Sequence, residues 1–143
     1  TNIIFVTTNK PYGHLINTFK KHGIPHNKTF FIDCISKYVG EKIEQEPENC
    51  LFVEGPQNLT AIGIAINESV KHLPGKKTMF LDSLSTLLIY HDSNTLSKFS
   101  NFFINKMRVL DIDTIVLALE SDINKEAIKL IQSLADEVKK YGG

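Results

Sequence analysis

The sequence has no tryptophan, two cysteines, two methionines and no surplus of charge: 16 Lys and Arg stand against 16 Asp and Glu, a formal net charge of +0 at pH 7. Each shortage excludes something. With charge balanced, nothing global argues for a nucleic-acid partner, whose electrostatic footprint would be basic. It also gives little protection against self-association. Cys34 and Cys50 each adjoin or end an apolar strand-like run. They read as buried free thiols in a reducing cytoplasm, with a single bridge between them left open by spacing alone. No apolar run approaches the roughly 20 residues of a membrane span, and no signal-peptide pattern is present. The chain begins at Thr1 and enters a strand almost at once, so further sequence is expected upstream.

What is present is an ordinary globular mix, 143 residues with 42% hydrophobic and 22% charged, expected to form one domain over 1–143 with a core that needs no staples. Ile3 to Thr8 is β-branched and aromatic and reads as a buried strand. Asn9 is placed to cap a helix with Pro11 in its first turn, and Tyr12, Leu15, Ile16 and Phe19 recur at helical spacing before Gly23 stops it. Thr29 to Asp33 is a second strand. Gly40 to Asn49 is a polar, acidic surface loop. Cys50 to Val53 is a short third strand. Leu59, Ile62, Ile66, Val70 and Leu73 mark a helix that Pro74-Gly75 ends. Met79-Phe80-Leu81 is apolar on both faces and ends on Asp82 and Ser83, the pattern of a strand buried on both sides. Ser85 to Tyr90 fits either a helical turn or a strand end. His91 to Asn94 is a turn with capping chemistry, followed by a helix with Leu96, Phe99, Phe103, Met107 and Leu110. Thr114 to Leu119 is a last buried strand. Ser121 and Asp122 are placed to cap a final helix carrying Ala127, Ile128, Ile131, Leu134, Ala135 and Val138, with Tyr141-Gly142-Gly143 fraying. Strands alternating with helices across short connections imply an α/β fold: three layers, a mostly parallel sheet, helices on both faces, right-handed crossovers.

The motifs of common enzyme classes fail one by one. Gly75-Lys76-Lys77-Thr78 is the nearest match to a phosphate-binding loop. It has Val70 where the pattern needs Gly and Lys77 where it needs Ser or Thr, and it precedes a strand instead of following one. Gly55, between a strand and a helix, is a single glycine and too little for an anion cradle. No G-x-G-x-x-G occurs. His14, His22, His26, His72 and His91 show no ligand spacing with Cys or acids. Ser83 and Ser85 lack the glycines of a nucleophile elbow. A phospho-receiver needs an acidic pair where Thr7-Thr8-Asn9 stands, and a Lys where Leu119-Glu120-Ser121 stands. What remains is Asp82 at a strand's carboxyl end, where open α/β sheets place their ligands. Such a carboxylate can hold Mg²⁺ through water beside nucleotide phosphates, or can simply hydrogen-bond nearby loop amides.

Three stretches form a recognisable series: Ile4-Phe5-Val6-Thr7-Thr8-Asn9-Lys10-Pro11, then Phe31-Ile32-Asp33, then Phe80-Leu81-Asp82-Ser83 followed by Leu84-Ser85 and the buried strand Ile115 to Leu119. Their order resembles the RecA-type ATPase core, specifically the KaiC-like proteins common in archaea, with Phe80 to Ser83 in the place of the Walker B strand. The resemblance implies a RecA-like topology truncated at its first strand, because the family's Walker A loop would fall before Thr1. It also implies a candidate remnant nucleotide site of Asp82, Ser83, Thr8 and Asn9, with Asp82 the Mg²⁺-linked residue if nucleotide binds. The family's catalytic glutamates are replaced by Asn9 and Lys10. An amide and an ammonium cannot polarise an attacking water as a general base. The family's strand beside Thr114–Leu119 is also missing, so that strand is expected at an open sheet edge, covered by an outside segment or a second copy.

The expectation is therefore a non-catalytic KaiC-like module that needs no cofactor and acts by protein–protein contact as a regulatory or signalling scaffold. The alternative is the nucleotide-binding part of an ATPase whose Walker A loop lies upstream, with Mg-ATP as its ligand. No catalytic residue is assigned. A small-molecule enzyme on the same sheet has no constellation to support it, since fold alone does not supply function.

Overall fold

The computed structural model describes residues 1–140. Five strands form one sheet in the order β3-β2-β1-β4-β5, and every neighbouring pair is parallel. The strands are β1 (Asn2–Thr7), β2 (Thr29–Asp33), β3 (Cys50–Phe52), β4 (Lys77–Asp82) and β5 (Asp113–Leu117). The helices are α1 (Tyr12–Lys21), α2 (Leu59–His72), α3 (Leu84–Tyr90), α4 (Ser93–Val109) and α5 (Glu126–Leu134), with a short 3₁₀ turn over Glu120–Asp122. The expected α/β three-layer architecture is present.

Strand order dictates the layers. The chain steps one way across the sheet from β1 to β2 and the other way from β3 to β4 to β5. Right-handed crossovers then put α1 on one face and α2, α3 and α4 on the other. The side chains agree. Phe5, Phe31, Cys50 and Phe52 pack with Leu15, Ile16 and Phe19 of α1. Ile4, Val6, Ile32, Met79 and Leu81 point the opposite way, into a larger core with Ile62, Leu87, Leu96, Phe103 and Ile128. Each such fully buried aliphatic or aromatic side chain contributes about 1.5–3 kcal/mol. α1 covers only the β1–β3 half of its face. On the β4–β5 half, Ile115 and Leu117 stand exposed beside Phe80 and Asp82 in register.

Local chemistry explains most boundaries. Gly23, at φ +65°, takes the left-handed position that ends α1. Ser83 and Asp92 cap α3 and α4 by accepting from the Thr86 and Thr95 amides at 3.2 and 2.7 Å. The Thr95 amide holds the Asp92 carboxyl below its ordinary range. Its stabilising contribution is therefore complete above the ordinary aspartate range and is lost as pH falls through the depressed folded value.

Several expectations are corrected. Asn9 does not cap α1: Pro11 occupies that position, and the first amide, Tyr12 N, donates to Asp33 instead. Ser121 and Asp122 lie in the 3₁₀ turn, and α5 starts after Lys125. α5 stops at Leu134, so Val138 leaves the apolar stripe and is exposed. β3 and β5 end at Phe52 and Leu117, before Val53 and Leu119. Ser85 to Tyr90, open between two forms, is helical. The expected fraying of Tyr141-Gly142-Gly143 lies outside the described residues.

Cys34 and Cys50 are free, buried, and packed into different clusters on opposite sides of the sheet, which settles the open question of a bridge. Burial foremost, and then the nearby Asp33, pushes both thiols far above the usual cysteine range. Ellman's reagent should leave the native protein unlabelled on the timescale that titrates both thiols in urea. A thiol reacting at full rate in buffer would contradict this packing.

Candidate functional site

The carboxyl edge of the sheet is built around the end of β1. Thr7 sits in register between Asp33 of β2 and Asp82 of β4, and all three residues alternate onto the α1 face. Two carboxyl groups thus flank one threonine, and their fates differ.

Asp33 is fully buried. Its side chain accepts from Tyr12 N at 2.8 Å, Ile35 N at 2.9 Å, Ser36 N at 2.8 Å and the Ser36 hydroxyl at 2.6 Å. Those donors offset the cost of taking a carboxylate out of water. The result is structural: Asp33 caps α1 from a distance and shapes the turn after β2. It is fully committed and has no free lone pair aimed outward.

Asp82 is half-buried, and among the described residues no donor reaches its carboxyl group. The backbone around it is fastened. Thr8 N donates to Asp82 O at 2.9 Å, and the Thr8 hydroxyl donates to the same oxygen at 3.1 Å while accepting from Ser83 N at 3.0 Å. The Asp82–Ser83 peptide is cis. Ser83 spends its hydroxyl on the Thr86 amide and shares a further contact with the Thr86 hydroxyl at 3.0 Å. The Ser85 hydroxyl accepts from Leu119 N at 2.7 Å, tying the exit of β5 to α3.

The four candidate site residues therefore fall into two groups. Asp82, Ser83 and Thr8 are brought together, with Thr8 buried and its hydroxyl consumed by the strand ends it joins. Asn9 is exposed one residue further on, as is Lys10, whose amide and carbonyl close a turn onto the Thr7 hydroxyl at 3.1 and 2.8 Å. Among the described residues, no three His, Cys, Asp or Glu side chains gather in a metal-ligand cluster. Chemically, the edge offers one free carboxyl group on a rigid base.

Sequence reasoning missed two contributors, Asp33 as the α1 cap and Ser85 as the β5 tie. Half of the first was visible: Asp33-Cys34-Ile35-Ser36 has the local pattern in which an aspartate bonds amides two and three residues ahead. The bond to Tyr12, 21 residues away, has no local signal.

A family model matches residues 2–139, nearly the whole of the fold just described. The chain belongs to a family of unknown function (DUF7504). No curated protein matches it. The match runs from β1 through α5, so both aspartates, the Thr8 fastening and the β5 edge lie inside the family's span.

The two aspartates should separate cleanly in urea unfolding. Asp33→Ala leaves three backbone amides without their acceptor and should cost about 2–5 kcal/mol. Asp82→Asn removes no bond and should shift stability by no more than about 0.5 kcal/mol. Equal losses would mean that Asp82 has a structural partner too.

Proposed function

We propose that this chain is a non-catalytic module of the RecA/KaiC-like type that acts by protein–protein contact, as a regulatory or signalling scaffold, through the outer edge of β5. The observation that supports it best is the state of that strand. Among the described residues β5 pairs with β4 alone, and no strand lies on its other side. Ile115 and Leu117 are 46% and 37% exposed, and Leu119 just beyond is 63% exposed. Parallel strands are ordinarily covered on both faces, and exposed edges are ordinarily blunted by charge, proline or a bulge. β5 has one charged residue, Asp113, at its very start. A strand added by a partner would satisfy the backbone groups and cover the apolar side chains together. A second copy is the partner we favour, because a net charge of +0 puts little repulsion between copies.

The nucleotide-binding reading rests on Asp82. Mg²⁺ is commonly held by one or two carboxylates together with substrate phosphates and water, and an uncommitted carboxyl group at a strand's carboxyl end fits that part. When bound, the ion would neutralise phosphate charge. The rest of the edge fits less well. Thr8 has no hydroxyl to spare for a phosphate, and Asn9 and Lys10 occupy the places where the RecA/KaiC-like resemblance expects glutamates. No helix among the described residues is long and apolar enough to cross a membrane.

Light scattering and hydrogen exchange test the contact. The protein should self-associate at micromolar concentration, with the β5 amides protected, and Ile115→Lys with Leu117→Lys should render it monomeric with stability changed by at most about 0.5 kcal/mol per exposed site. A monomer whose β5 amides exchange rapidly at every concentration would count against a second copy. Calorimetry with Mg-ATP should show no binding. Micromolar binding with phosphate release would overturn the non-catalytic reading, and Asn9→Glu with Lys10→Glu should then raise the rate.

A further inference from the structure

The opposite side of the sheet carries a second apolar surface, independent of β5. α2 and α4 lie side by side in the outer layer and leave a groove of ≈ 460 Å³ between them. Its floor includes Ile66, Phe103 and Met107 from the core. Its rims are Ile64 on α2 and Phe102 on α4, 60% and 65% exposed. Large apolar side chains raised on both lips of a trough are the pattern of a surface that receives a helix.

Gly63 adds an independent observation. It sits in the middle of α2, where glycine weakens a helix, and it opens onto the groove. Neither local geometry nor packing within the chain explains it: its φ is not left-handed, and a Cβ built there meets nothing within 4 Å. Its effect is to leave the α2 backbone bare on the groove side.

Charge indicates what that is. α4 has no acidic residue in its 17 positions. Lys106 lines the groove, with its ammonium 5.6 Å from the Phe102 ring centre. Lys98 is exposed just outside the lining, three residues after Thr95 and four before Phe102 on α4, which both line it. Among the described residues neither lysine has a carboxylate within ion-pair distance. The single acid of α2, Glu68, faces His72 at 3.7 Å. In a chain of zero net charge, this wall is locally cationic.

We propose that the α2–α4 groove is the docking site for an acidic amphipathic helix of a protein partner, its apolar stripe seated over Gly63 between Ile64 and Phe102 and its acids against Lys98 and Lys106.

The probe is a labelled helical peptide of about 16 residues, long enough at about 1.5 Å per residue to run along the groove, with leucines at i, i+3, i+4 and i+7 and glutamates on both flanks. A second peptide carries lysines in place of the glutamates. Fluorescence anisotropy should show saturable binding of the acidic peptide, at least about tenfold tighter than the basic one at low salt. Lys98→Glu with Lys106→Glu should reverse that preference. Gly63→Leu should abolish binding while the melting temperature holds or rises, because a Cβ at this position meets nothing within 4 Å and helix propensity improves. Ile115→Lys with Leu117→Lys should leave peptide binding unchanged, so this result stands or falls apart from the β5 contact. The proposal is overturned by no saturable binding, by equal binding of both peptides, or by binding that survives Gly63→Leu. A groove-dependent dimer that Gly63→Leu dissociates, or uptake of dodecanoate without peptide binding, would likewise overturn it by identifying a different occupant.

Discussion

The carboxyl group of Asp33 is the constraint on which the geometry of the sheet's carboxyl edge depends. A carboxylate with no solvent contact is tolerable only when its oxygens are satisfied, and here four donors converge on it. Three of them are backbone amides from two separate segments. The same group therefore fixes where α1 begins and how the chain leaves β2. Because α1 is the sole helix on its face among the described residues, its placement decides which half of that face is covered and which half is bare. Ile115 and Leu117 stay bare because the β1–β2 crossover puts that helix over the other half of the sheet.

The Thr8 hydroxyl performs the complementary task between β1 and β4. Parallel strands have no hairpin to set their register, and their ends are free to splay. One side chain that donates to Asp82 O and accepts from Ser83 N extends the β1–β4 ladder past its last strand residue. With Ser83 capping α3 and Ser85 holding Leu119, three hydroxyls lock the edge from β1 to β5. Thr8 is thus committed to architecture. Asp82 is carried on that locked backbone, and among the described residues no donor reaches its carboxyl group.

The fold was largely legible in the sequence because its signals are local. Apolar runs of four to six residues ending in Asp or Thr, separated by amphipathic stretches at helical spacing, identify a parallel sheet with its crossovers. The capping errors share one physical origin. Asn9, Ser121 and Asp122 are all good capping residues by type, yet α1 takes its cap from a strand 21 residues away and α5 begins without a side-chain cap. Capping propensity states what a residue can do, whereas tertiary placement decides which amide it meets. The same limit applies to the site. Asp82 could be located at a strand end from the pattern of Met79 to Ser83. That Thr8 is spent while Asp82 is free depends on hydrogen bonds across 74 and 75 residues of chain, which no spacing reveals.

The two exposed apolar surfaces lie on different sides of the sheet and differ in kind, and that difference bears on how the molecule works. The β5 edge offers backbone groups as well as side chains, the complement of an added strand, whose register with β5 would fix its position. The α2–α4 groove offers side chains and charge but no free ladder, so an occupant would be read by the spacing of its apolar residues and the sign of its flanks. An edge that accepts any strand of suitable length discriminates weakly; a groove with cationic rims discriminates by repulsion as well as attraction. A module with both would assemble through one surface and choose its partner through the other. Neither surface borrows residues from the other: Ile115 and Leu117 lie on the α1 face of β5, whereas Ile64, Gly63 and Phe102 lie in the helices over the opposite face. Each can therefore be altered by its own substitutions while Met79 and Leu81 of β4 keep their place in the core between them.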